Sequence, residues 1–172
     1  MKMRKGFTFI EVIMVLVIMG ILATQINFNM TTDFDTLDNE YGELKQNLNY
    51  TKQLNLNQNF FDGTDTGWID NTDCFELINT KEYELNNGGT PLKSQNYDNK
   101  DFNIKLNSIL TMKEETSGNN ISKICFDNIG RPYKTNLNTA NILTENIVLT
   151  LSTPNGDYNR TITIEKITGY IK

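Results

Sequence analysis

Glu11 has the most unusual chemical setting in the sequence, because it is the only ionisable group between Phe7 and Ala23. The rest of that segment is almost entirely apolar, and its seventeen residues are just enough for a helix to cross a bilayer. A carboxylate inside such a helix is costly unless another group compensates it. We therefore predict that Glu11 has a partner.

The rest of the composition removes the commonest catalytic chemistry. The 172 residues contain no His, which is the most frequent general base and zinc ligand. We also find no nucleophile motif, so we predict that the chain is not an enzyme and needs no cofactor. Its net charge of −5 argues against general binding to a phosphate backbone, which requires a clustered basic face.

Charge around the apolar segment predicts its orientation in a membrane. Lys2, Arg4 and Lys5 precede the segment and no basic residue follows it closely, which places a short N-terminus in the cytoplasm and the rest of the chain outside. A cleaved signal peptide would need a small-x-small site, which the residues after Ala23 lack. A simple signal anchor would leave Glu11 unexplained.

Residues 5–11, Lys-Gly-Phe-Thr-Phe-Ile-Glu, resemble the prepilin peptidase signal of type IV pilins and type II secretion pseudopilins. The resemblance implies cleavage between Gly6 and Phe7 and methylation of the new N-terminus at Phe7. It also implies that Glu11 is an assembly residue, pairing with the N-terminal amine of a neighbouring subunit. The family's usual Leu at the third mature position is Phe9 here.

A second helical segment is predicted after the membrane segment, and the polar residues Asn27–Thr32 between them leave open either a local break or one straighter helix. Thr32-Asp33-Phe34-Asp35 resembles a capping box, which marks a helix start. Apolar residues then recur at helical spacing on one face; they are Phe34, Leu37, Tyr41, Leu44 and Leu48. We favour a helix that packs on the chain's own core over a coiled-coil partner site, because two heptads are short for a coiled coil.

The remainder of the chain predicts short strands separated by turn residues. The predicted strands are Cys74–Ile78, Tyr83–Leu85, Phe102–Leu106, Ile121–Phe126, Ile147–Ser152, Arg160–Glu165 and Ile167–Ile171. Without βαβ alternation, the expected fold is α+β, with a long N-terminal hydrophobic helix packed on an antiparallel sheet. We divide the chain into a leader (1–6), a transmembrane and filament-core helix (7–28), an amphipathic stem helix (29–61) and a β domain (62–172).

The C-terminal half is similar to H-type minor pseudopilins and FimT-type minor pilins. The resemblance rests on the order of five pieces: Ile124-Cys-Phe126, Gly130-Arg131, Ile147–Leu151, Arg160-Thr-Ile-Thr-Ile164 and Thr168-Gly169-Tyr170-Ile171. It implies a single-pass protein of the bacterial inner membrane with a periplasmic domain, serving as a minor pilin or pseudopilin. Its partners would be other pilins, prepilin peptidase and the inner-membrane assembly platform. The alternative is a competence pilin that binds DNA.

Cys74 and Cys125 are candidates for a disulfide. Export would place both in an oxidising space, where pairing is favoured. Because both lie in predicted strands, two buried free thiols are the alternative.

Three weaker sites remain. Asp62, Asp65 and Asp70 lie in a Gly-containing segment that could wrap a calcium ion, although a solvated turn explains them better. Asn159 lies in an acidic-x-Asn-x-Thr sequence typical of bacterial N-glycosylation, but chance matches are expected among 25 Asn. A small basic patch, weak on an acidic domain, would consist of Arg160, Lys166 and Lys172.

Overall fold

A computed structural model describes residues 8–56, 72–87, 90–92, 103–135, 137 and 139–172, without the side chains of residues 23–32 and 139. Its one long helix, α1, is Phe9–Leu56. The strands are β1 Asp73–Asn79, β2 Glu82–Asn87, β3 Thr90–Pro91, β4 Asn103–Lys105, β5 Ile109–Glu114, β6 Lys123–Phe126, β7 Pro132–Lys134, β8 Ile147–Ser152 and β9 Asn159–Ile164. A short 3₁₀ helix covers Thr139–Asn141. The predicted α+β class is confirmed.

The chain divides into two compact units, Met1–Thr36 and Leu37–Lys172. The backbone is helical through residues 27–35, so the predicted helix start at Thr32–Asp35 is wrong. Extending an existing helix adds one hydrogen bond per residue, whereas a new start must pay for nucleation. With no proline before Pro91, nothing in the sequence forces a break.

The Leu37–Lys172 unit contains two antiparallel sheets. One has the strand order β3-β2-β1-β6-β7, with β4 also pairing β2, and the other has the order β5-β8-β9. The hairpin between β8 and β9 is confirmed, with Ser152 opposite Asn159 and Ile147 opposite Ile164. Leu110 on β5 also donates its backbone N–H to the carbonyl of Thr80, 2.7 Å away, in the turn between β1 and β2.

The predicted strand Ile167–Ile171 is wrong. Only one isolated bridge forms there, between Ile164 and Ile171. Gly169 has a φ of +59°, and its N–H donates to the carbonyl of Glu165 at 2.8 Å, so the backbone turns before it can extend. β5 and β7 were not predicted, because β5 places a carboxylate inward at Glu114 and β7 is only three residues long.

The stem portion of α1 within this unit packs on the sheets as predicted. Leu37, Leu44 and Leu48 are fully buried in one cluster with side chains from both sheets, and Tyr41 packs against it. The buried face continues past Leu48 with polar residues, since Thr51 and Asn55 are also fully buried. The two Asn55 amide atoms bond the backbone of Asp73, with Nδ2 2.6 Å from the carbonyl oxygen and Oδ1 3.1 Å from the amide nitrogen. This pairing attaches the end of the stem to the first strand.

A buried carboxylate joins the two sheets. Glu114 on β5 forms an ion pair with Lys134 on β7, and it also accepts hydrogen bonds from Asn119 and Ser117. The Lys134 hydrogen bond, followed by those of Asn119 and Ser117, lowers the Glu114 pKa from 4.5 to about 2. The charged carboxylate is therefore the form that the fold stabilises.

This shift predicts how stability responds to acid. A carboxyl whose pKa is lowered by folding contributes stability above its unfolded pKa and loses it as pH falls through the folded value. We expect Glu114 to stabilise the fold fully above pH 4.5 and to lose that contribution towards pH 2. Urea titrations of the full chain from pH 2 to 6 should show a gap between wild type and Glu114→Gln that closes at the acid end. If the free energies of unfolding of the two proteins differed by the same amount at every pH, the Glu114 carboxylate would not be the source of this stability.

Candidate assembly site

The first described residue of the chain contacts the carboxylate that the sequence singles out. Thr8 donates from its backbone N–H and from its Oγ1 hydroxyl to Glu11 Oε2, at 2.8 and 2.9 Å. Glu11 N–H in turn donates to the carbonyl of Thr8 at 3.1 Å. Thr8 is the N-cap of the helix and Glu11 is its third residue. The bond from Thr8 N–H to the Glu11 carboxylate is therefore one of the two hydrogen bonds of a capping box.

This contact points the carboxylate towards the start of the helix. Thr8 directly follows Phe7 in the chain, so Glu11 Oε2 lies 2.8 Å from the backbone nitrogen next to the predicted mature N-terminus. Negative charge at this end is also stabilised by the positive end of the helix dipole. The carboxylate oxygens are therefore placed to accept hydrogen bonds from an ammonium group at the head of a helix.

The side chains around this site are uncovered within the chain. All residues from Thr8 to Leu22 are exposed, and Phe9 is 83% exposed. A helix that is apolar on all sides must be covered by lipid or by other helices. Within the described part of the chain, no helix meets the length and hydropathy required to cross a membrane.

Residues 1–24 match the protein family described as Prokaryotic N-terminal methylation motif. The match includes Gly6 and Phe7, on which the predicted processing depends, and Glu11, on which the predicted assembly depends. It supports a pilin-type precursor that is processed by a prepilin peptidase. No curated protein and no solved structure matches the chain.

Several predicted residues lie outside the described part of the chain. Gly6 and Phe7 precede the first described residue. Asp62, Asp65 and Asp70 lie in the undescribed segment 57–71, so the calcium prediction stays untested. Among the described residues, no group of three or more His, Cys, Asp or Glu is arranged to hold a metal ion.

The two cysteines form a disulfide in the structure. Cys74 on β1 lies directly opposite Cys125 on β6, with 4.3 Å between their Cα atoms. Their side chains are buried together with Tyr133 and Leu137 in a small cluster separate from the main core. Among the described residues there is no free cysteine.

The predicted basic patch is divided among different acceptors. Arg160 Nε bonds Asp38 Oδ1 on the stem at 2.9 Å, and Lys166 Nζ bonds the carbonyl of Thr144 at 2.9 Å. Lys172 Nζ bonds Glu165 at 3.2 Å. Each of the three cations thus serves a local contact, which gives no support to a phosphate-binding surface.

Asn159, the candidate glycosylation residue, lies at the start of β9 and is exposed. It pairs with Ser152 across the hairpin. The residue is therefore accessible, but nothing else in the structure distinguishes it as an acceptor.

Besides Glu114, two further buried carboxylates were missed by sequence reasoning. Glu40 accepts hydrogen bonds from the backbone of Asn107 at 2.7 Å and of Ser108 at 3.1 Å, which fixes the approach to β5. Asp127 accepts from the backbone of Ile129 and Arg131, which fixes the turn between β6 and β7. Sequence gives little signal for Glu40, because its backbone partners lie 67 and 68 positions away. The backbone partners of Asp127 lie only two and four positions away, and Asp127-Asn-Ile-Gly130 is a local turn signal that could have identified it.

Proposed function

We propose that this protein is a minor pilin or pseudopilin, a structural subunit of a type II secretion pseudopilus or a type IV pilus-like filament. The precursor is inserted in the bacterial inner membrane with its C-terminal domain in the periplasm. Prepilin peptidase cuts it after Gly6 and methylates Phe7. The subunit then leaves the membrane for the filament through its N-terminal helix, with the inner-membrane assembly platform as a partner.

The observation that carries this proposal is the match of residues 1–24 to the N-terminal methylation motif. The Thr8–Glu11 contact supports it further, because it leaves a carboxylate oxygen at the head of the helix, where the new amine of a neighbouring subunit would bind. In the single subunit the Thr8 hydroxyl and N–H satisfy this carboxylate. These bonds are charge-assisted on the acceptor side only, whereas an ammonium donor from a neighbouring subunit would bring the opposite charge to the carboxylate as well.

The disulfide supports the proposed compartment. Disulfides form and persist outside the cytoplasm, and Cys74 and Cys125 lie in the part of the chain that the basic N-terminus would send across the membrane. The minor role rests on the similarity of the C-terminal half to H-type and FimT-type subunits.

The test is mass spectrometry of the N-terminus of the full chain from its native membrane, combined with crosslinking to identify its neighbours. We expect a chain that begins with N-methylated Phe7 and crosslinks to other pilin-type proteins. Gly6→Ala is expected to leave only full-length precursor, because the added methyl group alters the residue at the cleaved bond. A wild-type chain that still begins at Met1, or normal processing of Gly6→Ala, would refute the proposal. Secretion proteins among the neighbours would favour the pseudopilus, and pilus proteins the pilus.

A further inference from the structure

The most exposed large hydrophobic side chains in the described part of the Leu37–Lys172 unit lie in two turns that touch. Ile167, Ile129 and Tyr170 are exposed by 70%, 64% and 60%. The turns meet at two glycines, since a Cβ added to Gly169 would clash with the carbonyl oxygen of Gly130. We call Ile129, Ile167 and Tyr170 the end patch. Clustered apolar side chains of this kind mark a surface on which another group packs.

Hydrogen bonds hold both turns of the end patch in place. Lys52 Nζ on α1 donates to the carbonyls of Thr168 and Gly169 at 3.0 and 3.1 Å. Asp127 Oδ1 accepts from the N–H of Ile129 at 3.0 Å. Apolar groups on a backbone that is already fixed lose little conformational entropy when another segment packs on them.

The helix α1 ends beside the end patch. A Cβ added to Gly130, the residue after Ile129, would lie 3.5 Å from Cδ2 of Leu56. Leu56 is the last residue of the helix, and it is itself 41% exposed. The segment that follows, residues 57–71, therefore starts at the end patch.

The same segment returns to the place where it starts. Asn55, one residue before Leu56, bonds the backbone carbonyl and the N–H of Asp73 at 2.6 and 3.1 Å. The described chain resumes at Thr72, next to Asp73. Segments of up to roughly 16 residues whose two ends lie close together commonly pack as compact surface loops. Connectivity thus keeps the whole of segment 57–71 near the end patch.

Segment 57–71 is rich in large apolar side chains, which are Phe60, Phe61, Trp68 and Ile69. An aromatic side chain buries roughly 150–250 Å² when it is packed. Removing that much apolar surface from water is strongly favourable. The segment therefore needs an apolar surface close to its two ends, and the end patch is such a surface.

We infer that the large apolar side chains of segment 57–71 pack on the end patch of the same chain. A group that is tethered at both ends is present at a much higher effective concentration than a separate partner, so the segment occupies the patch first. A neighbouring protein at this end of the subunit would then meet segment 57–71 and not the end patch.

Charge favours the same occupant. Segment 57–71 contains three acidic residues and no basic residue. The carbonyls of Thr168 and Gly169 take two of the three ammonium donors of Lys52. A carboxylate of the segment can accept the third donor, so the segment can pack beside Lys52 without burying an unpaired charge.

The first test uses the fluorescence of Trp68, which is the only Trp in the chain and therefore reports on segment 57–71 alone. In the full chain in detergent, Trp68 should emit at shorter wavelength and be quenched less by acrylamide than in urea. Ile167→Ser should shift the emission to longer wavelength and increase the quenching, because it removes part of the apolar surface under the segment.

Ile78→Ser is the matched control for this test. It makes the same substitution at another exposed Ile, which is 47% exposed and lies at the far end of β1 from Asp73. Trp68 should behave in this variant as it does in the wild type. The inference would be overturned by equal quenching of folded and unfolded wild type, by an unchanged Trp68 in Ile167→Ser, or by an equal change in Ile78→Ser.

The second test detects the contact directly, with a photocrosslinking benzoylphenylalanine at position 170 of the full chain in its native membrane. We expect an adduct on the peptide that contains Trp68. Copies labelled with ¹⁵N are mixed with unlabelled copies, so that an adduct within one chain carries a single label. The same probe at position 78 is the control and should give no such adduct.

Three outcomes of the crosslinking would overturn the inference. They are the absence of an adduct on the Trp68 peptide, Trp68 adducts that carry both labels, and equal adducts from position 78. Position-170 adducts found only on a different protein would count with the first outcome, and they would make the end patch a docking surface for that protein. Both tests concern the fold of one subunit, so the proposed function stands whichever result they give.

Discussion

Replacing Glu11 by alanine is expected to leave cleavage after Gly6 intact and to lower incorporation into filaments by roughly tenfold or more, because a buried ammonium without its carboxylate is strongly destabilising. The proposed cleavage site, Gly6–Phe7, lies four residues away from the removed group. Assembly instead needs the acceptor that Thr8 now holds at the head of the helix. The measurement is the ratio of the processed subunit in sheared filaments to that in the membrane.

Two control variants separate charge from hydrogen bonding. Glu11→Gln keeps an acceptor for Thr8 but removes the negative charge, so it should incorporate as poorly as Glu11→Ala if the charge pair matters. Thr8→Val removes only the hydroxyl donor, while the backbone N–H bond at 2.8 Å remains, and should incorporate nearly as well as wild type. If Glu11→Gln were incorporated into filaments at wild-type levels, the charge pairing would be contradicted, even if Glu11→Ala assembled poorly.

The sequence was sufficient where a pattern is local. Leu37, Leu44 and Leu48 recur at helical spacing, and they are the hydrophobic residues of the described part of α1 that are buried in the main core. β8 and β9 alternate apolar and polar residues around a Pro-Asn-Gly-Asp turn, and they pair as a hairpin. In both cases the period of the side chains follows directly from the geometry of the element.

The sequence was insufficient where a polar residue is buried for a distant partner. Asn55 is one of 25 Asn, and nothing nearby distinguishes it, yet its amide bonds the backbone of Asp73 across 18 positions. Glu114 interrupts the apolar side of β5, and its partner Lys134 lies on the other sheet. Gly130 and Gly169 meet only in the folded chain, so their contact has no local signal.

Removing the Cys74–Cys125 bond is expected to lower the free energy of unfolding by about 4 kcal/mol, the chain-entropy value for the 51-residue separation that it closes. That is a large fraction of the 5–15 kcal/mol or so that holds an ordinary domain together. The bond also links β1 to β6 at Cys74, the residue after Asp73. Because Asn55 at the end of the stem bonds the backbone of Asp73, the stem is attached to the same strand. The double variant Cys74→Ala, Cys125→Ala avoids a lone reactive thiol.

Urea unfolding of the full chain in detergent, with and without a reductant, checks this prediction. Without the reductant, the wild type should unfold at a clearly higher urea concentration than the double variant. Because Cys74 and Cys125 are 3% and 0% exposed, a thiol reductant should reach the bond only as the domain opens. Once reduced in urea, the wild type should unfold like the double variant, which is itself insensitive to the reductant. Alkylation of both cysteines in unreduced wild type, or equal midpoints without reductant, would show that the bond does not stabilise the native protein.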